Sequence, residues 1–280
     1  MNNYTNKIMS KIKAIKMDGL GNQFLIIDRR TQNISIEKNK IIALSKNKNT
    51  FFDQLIFIEK HKENITPISI FNSDGNKVSA CGNGARCVAY LLSNESSKMK
   101  IFLDTSERVL EAEIFSKDNV KLDMGEPLFN WNEIPLSKEV DTKNISLEVN
   151  GEKLTDGFAV NVGNPHIVFF VKDHLKYNIK KIGPLIENHE LFSEKCNVTI
   201  AKKPEDGKIY VNVWERGAGL TKACGTAACA TAVSSFKKGL TERKTKIIFN
   251  EGVLNLEYRN DNRIIMSGPV SKIVNLELEI

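Results

Sequence analysis

No apolar run in this 280-residue chain approaches the ~20 residues of a membrane span, and residues 1–16 lack the apolar core of a signal peptide. A cytoplasmic protein with no membrane partner is expected. Cysteine is scarce, five in all, which in that compartment does not make a disulfide framework. The C-x-x-C of thioredoxin-like proteins is absent. Cys81-x5-Cys87 and Cys224-x4-Cys229 also miss the C-x2-4-C spacing of structural zinc. On a helix turning ~100° per residue those pairs would point apart, so no metal is expected. A concentrated basic face is missing too. The net charge of +6 is spread thinly over the tail lysines Lys7, Lys11, Lys13 and Lys16 and over polar segments, without interleaved aromatics, so nucleic acid is not an expected partner. Length and otherwise ordinary composition fit about two domains, each able to build a core.

What is present is one short stretch and its echo: Ala80-Cys81-Gly82-Asn83-Gly84-Ala85-Arg86 and Ala223-Cys224-Gly225-Thr226-Ala227-Ala228-Cys229. Each pairs a cysteine with a glycine and opens a helical pattern. Ala85, Val88, Ala89 and Leu92 fall at i, i+3, i+4 and i+7, as do Cys229, Ala232, Val233 and Phe236, with Lys237, Lys238 and Gly239 as a stop. Both cysteines are thus expected at helix N-termini, where unpaired N–H groups bind a carboxylate and lower a thiol pKa.

The cysteines stand 143 residues apart (224 − 81), and the offset recurs. Gly21-Asn22 matches Gly163-Asn164, Gln54 matches Asn197, Phe71-Asn72 matches Trp214-Glu215, and Met124 and Pro127 match Met266 and Pro269. This is the signature of a duplicated fold whose halves face each other across a pseudo-two-fold axis. Strands are expected near 12–17, 24–28, 51–59, 67–71, 100–103, 109–115 and 119–124. A helix is expected over Lys38–Lys46 and another after Cys81. The second half repeats this, with strands near 160–171, 197–200, 208–213, 246–249, 254–258 and 263–266, a helix near 182–189 and the Cys224 helix. Residues 1–10 are polar and expected to fray. Gly125-Glu126-Pro127 breaks the chain. The expected domains are 1–127, joined by a returning strand within 270–280, and 128–269. The fold class is α+β: two similar pseudo-symmetric domains, each a mostly antiparallel sheet wrapped around a central helix.

Cys87, Cys196 and Cys229 read as small buried hydrophobes. Cys81 and Cys224 do not, because a core cysteine needs neither a helix start nor a neighbouring glycine. A redox pair and an acid/base pair both remain open for them on spacing alone. His166 is a core histidine or a site residue in the turn that matches Gly21-Asn22. Glu215 and Arg216 are a surface pair or cleft residues. Asn22, Gln54, Asn72, Asn83, Asn164 and Asn197 are singly ordinary turn amides. Together they make neutral donors and acceptors suited to an amino-acid zwitterion.

Met17-x-Gly19-x-Gly21-Asn22, Phe71-Asn72-x-Asp74-Gly75, the Ala80 to Cys87 stretch, Gly163-Asn164-Pro165-His166, Glu215-Arg216-Gly217-x-Gly219 and Ala223-Cys224-Gly225-Thr226 resemble the diaminopimelate epimerases, in that family's order. The resemblance implies an isomerase without cofactor, pyridoxal phosphate included. It would interconvert LL- and meso-2,6-diaminopimelate for lysine and peptidoglycan precursors, commonly as a homodimer. It implies Cys81 as proton donor and Cys224 as acceptor, with His166 and Glu215 tuning the thiols. The α-carboxylate would lie on Gly82, Asn83, Gly225 and Thr226. Asn22, Gln54, Asn72, Asn164, Asn197, Glu215 and Arg216 would hold the rest of the substrate. Three features depart from the family: Gln23 where an Asp is usual, a loop before Asp53 without glycines, and Val274 in the region of a dimer-interface tyrosine. A proline racemase-like enzyme is the nearest rival, and an amino-acid-binding or thiol-redox protein the rival of another class.

Overall fold

A computed structural model of the chain describes residues 11–61, 63–78, 81–106 and 108–279. The expected fraying of residues 1–10 lies outside the described residues, as does Ala80 of the first cysteine motif. The first half runs β1 (Lys11–Gly19), β2 (Asn22–Asp28), α1 (Lys38–Lys46), β3 (Gln54–Ile58), β4 (Ile65–Asn72), β5 (Lys77–Val78), α2 (Gly82–Ser96), β6 (Lys100–Asp104), β7 (Val109–Ser116) and β8 (Asn119–Asp123). The second runs β9 (Ile145–Val149), β10 (Glu152–Asn161), β11 (Pro165–Val171), α3 (Ile179–Glu187), β12 (Asn197–Lys202), β13 (Lys208–Glu215), β14 (Gly219–Leu220), α4 (Gly225–Lys237), β15 (Lys244–Phe249), β16 (Gly252–Tyr258) and β17 (Ile264–Gly268). A last strand, β18 (Val274–Glu279), returns to pair antiparallel with β1.

The pairing pattern repeats between halves. β2 runs parallel to β3, and β11 parallel to β12; β4 is parallel to β6, and β13 to β15; the other pairs are antiparallel. The parallel pairs β2–β3 and β11–β12 are buried on both faces, which is why 24–27 and 167–170 read as unbroken apolar runs. Inner side chains such as Phe24, Ile26 and Val168 join the core around α2 and α4. Outer ones, Leu25 and Ile27 or Ile167 and Phe169, pack under α1 and α3. Each such side chain contributes about 1.5–3 kcal/mol on burial.

The two cysteine helices are more deeply buried than their one-sided pattern suggests. In α4 every residue from Gly225 to Ser235 is buried, and α2 is buried almost continuously from Gly82 to Leu92. Polar groups on so enclosed a helix turn to its own carbonyls. Thr231 Oγ1 donates to the Ala227 carbonyl at 2.7 Å and Ser235 Oγ to that of Ala232 at 2.8 Å, whereas the buried Ser234 hydroxyl has no hydrogen-bond partner. The halves are also joined by strand pairing: β8 pairs with β17, Val120 opposite Gly268 and Asp123 opposite Ile265. Helix α3 starts three residues earlier than expected, and the hairpin of β9 with β10 occupies a stretch that carries no expected element. The glycine-free loop before Asp53 is closed by polar side chains instead. The Asn47 Oδ1 accepts from the Asn49 N–H at 2.9 Å, and the Thr50 hydroxyl donates to the Leu44 carbonyl at 2.6 Å.

Candidate active site

Cys81 and Cys224 are the N-cap residues of α2 and α4. Both have extended backbones, and each sulfur accepts from an N–H of the first turn, Gly84 or Ala227, at 3.4 Å. Met266 lies between the two helix starts. A Cβ on Gly82 would stand 2.7 Å from its Cε, and one on Gly225 3.1 Å from its Sδ. Glycine after each cysteine is therefore what lets the two helix ends converge on one space. That space is a cavity of about 440 Å³ lined by both cysteines, Asn22, Gln54, Asn72, Asn83, Asn164, Glu215, Gly82, Gly225 and Thr226.

Strand register delivers the remaining groups. The parallel β2–β3 pair puts Phe24 beside Gln54, and β3–β4 puts Gln54 beside Asn72, to whose Oδ1 the Gln54 amide donates at 3.0 Å. In the second half the same pairings put His166 beside Asn197 and bring Glu215 to the adjoining strand end. An adjoining cavity of about 490 Å³ shares Gln54, Asn72, Asn164 and Glu215 with the first and adds Arg108, Asn197 and Arg216. All of the expected site residues except His166 thus line one of two connected spaces. His166 is fully buried behind them, its Nε2 against Asn164 Oδ1 at 2.8 Å. Asn164 Nδ2 in turn reaches Thr226 Oγ1 at 3.4 Å, and that hydroxyl lies 3.3 Å from the Cys224 sulfur.

The N–H groups at the helix starts lower both thiol pKa values as expected, but they are outweighed. Burial dominates. It pushes Cys81 up to about 12, against the N–H groups of Gly84 and Asn83 and the charge of Arg86, which pull the other way. Cys224 is also raised well above its ordinary range, by burial first and by the neighbouring Glu215 second. Burial thus favours the protonated form of both thiols. Glu215 is raised too, again by burial, although the Thr221 hydroxyl and the Cys224 thiol against its carboxyl lower it.

Residues 14–129 and 158–273 match the diaminopimelate epimerase family. The chain is 51% identical over 272 residues to the diaminopimelate epimerase of Pelagibacter ubique, covering 96% of this chain and 99% of that protein. It is 40% identical over 257 residues to that of Bartonella quintana, covering 91% and 90%. Among solved structures it is similar to a PhzF-family phenazine biosynthesis protein of Bacillus anthracis (TM-score 0.67, 14% identity, 97% and 100% covered). A hydroxyproline epimerase of Agrobacterium vitis is similar as well (TM-score 0.63, 10% identity, 96% and 93% covered). At such identities these two share the fold. This chain belongs to the diaminopimelate epimerase family. As in its epimerase relatives, the class of enzyme is an isomerase.

Several residues of this epimerase's cleft had no signal in the sequence pattern. Thr221, against Glu215, sits in an irregular approach to the helix. Asp53 closes the first turn by accepting from the Gln23 N–H at 2.7 Å, a backbone bond that does not depend on which side chain stands at 23. Arg108, on the turn before β7, donates to the Val162 carbonyl at 3.1 Å and so reaches across the halves. Asn197 is 3% exposed, and its carboxamide is used on backbone: Nδ2 donates to the Pro165 carbonyl and Oδ1 accepts from the Arg216 N–H, both at 3.0 Å. Asn83 likewise donates its side chain to the Ala223 carbonyl at 3.4 Å. Among the described residues, no three His, Cys, Asp or Glu side chains are grouped to hold a metal ion, and no helix is long and apolar enough to cross a membrane.

The buried imidazole makes a stability prediction. Burial, with the charge of Arg216 adding to it, pushes His166 from 6.5 down to about 3. The unfolded chain takes up a proton below pH ~6.5 that the folded chain refuses. Stability from this group is therefore complete above pH 6.5 and falls as pH drops toward 3. Between pH 8 and pH 5 the loss amounts to about 2 kcal/mol. Urea unfolding of wild type and His166→Asn across that range measures it. The variant's curve should be flatter by that amount, and parallel curves would refute the buried neutral imidazole.

Proposed function

We propose that this cleft interconverts LL- and meso-2,6-diaminopimelate by proton transfer between two thiols, without a cofactor, on the route to lysine. The observation that carries the reading is the convergence of two N-cap cysteines, one from each half, on a single cavity. An α-carbon held between them meets a sulfur on each face. Substrate must first make a thiolate from a protonated thiol. The Glu215 carboxylate beside Cys224 accepts that proton, and the incoming α-ammonium adds a positive charge that favours the thiolate. Cys224 then takes the α-proton, and Cys81 gives its own proton to the opposite face. The roles swap in the reverse direction. The N–H groups of Gly82, Asn83, Gly225 and Thr226, at two helix starts, hold the α-carboxylate while negative charge develops beside it.

The adjoining cavity takes the distal amino-acid head, with Arg216 on its carboxylate and Asn22, Gln54, Asn72, Asn164 and Asn197 as neutral partners or supports. The Arg216 guanidinium already donates to the Glu194 carbonyl at 2.8 Å, which aims it and leaves its other edge for a planar anion. Arg216→Lys is expected to raise KM roughly ten-fold or more, the loss of one charge-assisted bond of about 1.5–3 kcal/mol, while changing kcat less. An unchanged KM would sink the assignment. The whole reading is tested by following conversion of LL-diaminopimelate to the meso isomer by chiral chromatography, with L-proline beside it. Turnover of proline and not of diaminopimelate would replace this reading by the racemase one.

The domain division at Gly125-Glu126-Pro127, a cytoplasmic location and a homodimer belong to the same proposal. Val274, half-exposed on β18, is where the dimer lacks an aromatic contact.

A further inference from the structure

Glu187, the last residue of α3, is a carboxylate buried to 6% exposure and salt-bridged to nothing among the described residues. Its two oxygens are used on two different donors. Oε2 accepts from the Trp214 indole N–H at 2.7 Å, and Oε1 accepts from the Gly217 backbone N–H at 3.0 Å. Trp214 and Gly217 flank Glu215 and Arg216 in the chain. The same short stretch is tied a third time by Asn197 Oδ1 on the Arg216 N–H, and it closes on itself through the Ala218 N–H to the Glu215 carbonyl at 3.1 Å.

We infer that Glu187 is a positioning residue for the reaction: one rigid carboxylate, fixed to α3, sets where the Glu215–Arg216 pair stands in the cleft. The inference rests on the roles proposed above for those two side chains.

The hydrogen bonds explain why a carboxyl group is tolerated there. A buried carboxylate is costly unless its oxygens are bonded, and here each oxygen accepts from an N–H group. No neutral side chain of this length can accept at both ends. A glutamine would accept at one and present N–H to an N–H at the other. Packing reinforces the anchor, because Trp214 lies flat against the helix: a Cβ on Gly183 would be 2.6 Å from its Cγ. The first half offers a comparison. There the matching turn after Asn72 is held from α1 by a neutral hydroxyl, Ser45 Oγ donating to the Ser73 carbonyl at 3.1 Å. The half whose strand end carries a charged pair has the charged anchor. The half that carries Asn72 and Ser73 has the weaker one.

The test compares wild type, E187Q, W214F and E187Q/W214F, reading Tm, kcat and KM for LL-diaminopimelate. E187Q should lose at least ten-fold in kcat/KM, with kcat falling as Glu215 shifts and KM rising as Arg216 shifts. W214F keeps the Gly217 bond and should stay within about three-fold of wild type. In the double variant the phenylalanine carries no N–H, so the glutamine oxygen can accept from Gly217 while its amide faces no donor. Activity should then return to within about three-fold of W214F. A merely structural glutamate predicts losses that follow Tm and add in the double variant. E187Q within two-fold of wild type, or an additive double variant, overturns the inference. If E187Q alone fails to fold and the double variant folds and turns over, the clash of donors is the cause and the anchor stands; if neither folds, it falls. A wild type that does not epimerise would instead remove the site reading itself.

Discussion

Cys81→Ala and Cys224→Ala each lower kcat for epimerisation by about 10²–10⁴-fold, the range expected when a positioned acid or base is removed. Either loss breaks both directions, because every turnover needs one thiol to take a proton and the other to give one. The alternative cause, a damaged helix start, is separable. Each sulfur also caps its helix, and loss of a cap costs about 0.5–2 kcal/mol. Cys→Ser at either position keeps a cap in the same place but offers a hydroxyl far less acidic than a thiol. Serine variants with wild-type Tm and alanine-like kcat would assign the loss to proton transfer. Serine variants that recover activity would assign it to capping.

Glu215→Gln is the second large effect, about 10²-fold in kcat/KM with no loss of stability. The carboxyl lies against the Cys224 thiol, where burial has raised both groups. In that setting the thiol ionises only if its proton has an acceptor nearby, and glutamine is not one. The stability sign is opposite. A carboxyl whose folded pKa is raised stabilises fully below its unfolded pKa of about 4.3, and that contribution is lost as pH rises through the folded value. Above its folded pKa the desolvated Glu215 carboxylate costs stability, and glutamine removes that cost. Tm equal to or above wild type, with depressed turnover, is the expected pair of readings. A Tm that drops together with activity would contradict it.

Much of the architecture was legible because it was written twice. The 142–143 offset located the turns at Gly21 and Gly163, the strands that carry Gln54 and Asn197, and both cysteine helices. The residues that pairing brings together, Gln54 with Asn72 and His166 with Asn197, are far apart in the chain. Only their matching offsets hinted that they share one edge. Other features had signals that a reading by repeats passes over. The β9–β10 hairpin turns on Asn150-Gly151, both at positive φ, the commonest sequence mark of a tight hairpin, but it has no counterpart in the first half. Features without a local signal were not legible at all. The pairing of β8 with β17 depends on how two sheets meet. The thiol pKa values depend on how completely each helix start is enclosed, and enclosure outweighs the favourable N–H groups that the motif announces. Glu187 looks like any helix-end glutamate until the indole and the glycine N–H are seen on it.

The central claim is that opposite faces of the α-carbon are served by different thiols, and isotope placement tests it directly. Wild-type protein is incubated with LL-diaminopimelate in D2O and stopped at low conversion, and deuterium is measured separately in the meso product and the recovered substrate. Two thiols predict one α-deuterium in nearly all of the product, delivered by the exchanged Cys81. They predict little in the substrate, since Cys224 returns the proton it took. Deuterium at matching levels in both pools, or product that keeps its original hydrogen, would mean one base serving both faces and would contradict the account.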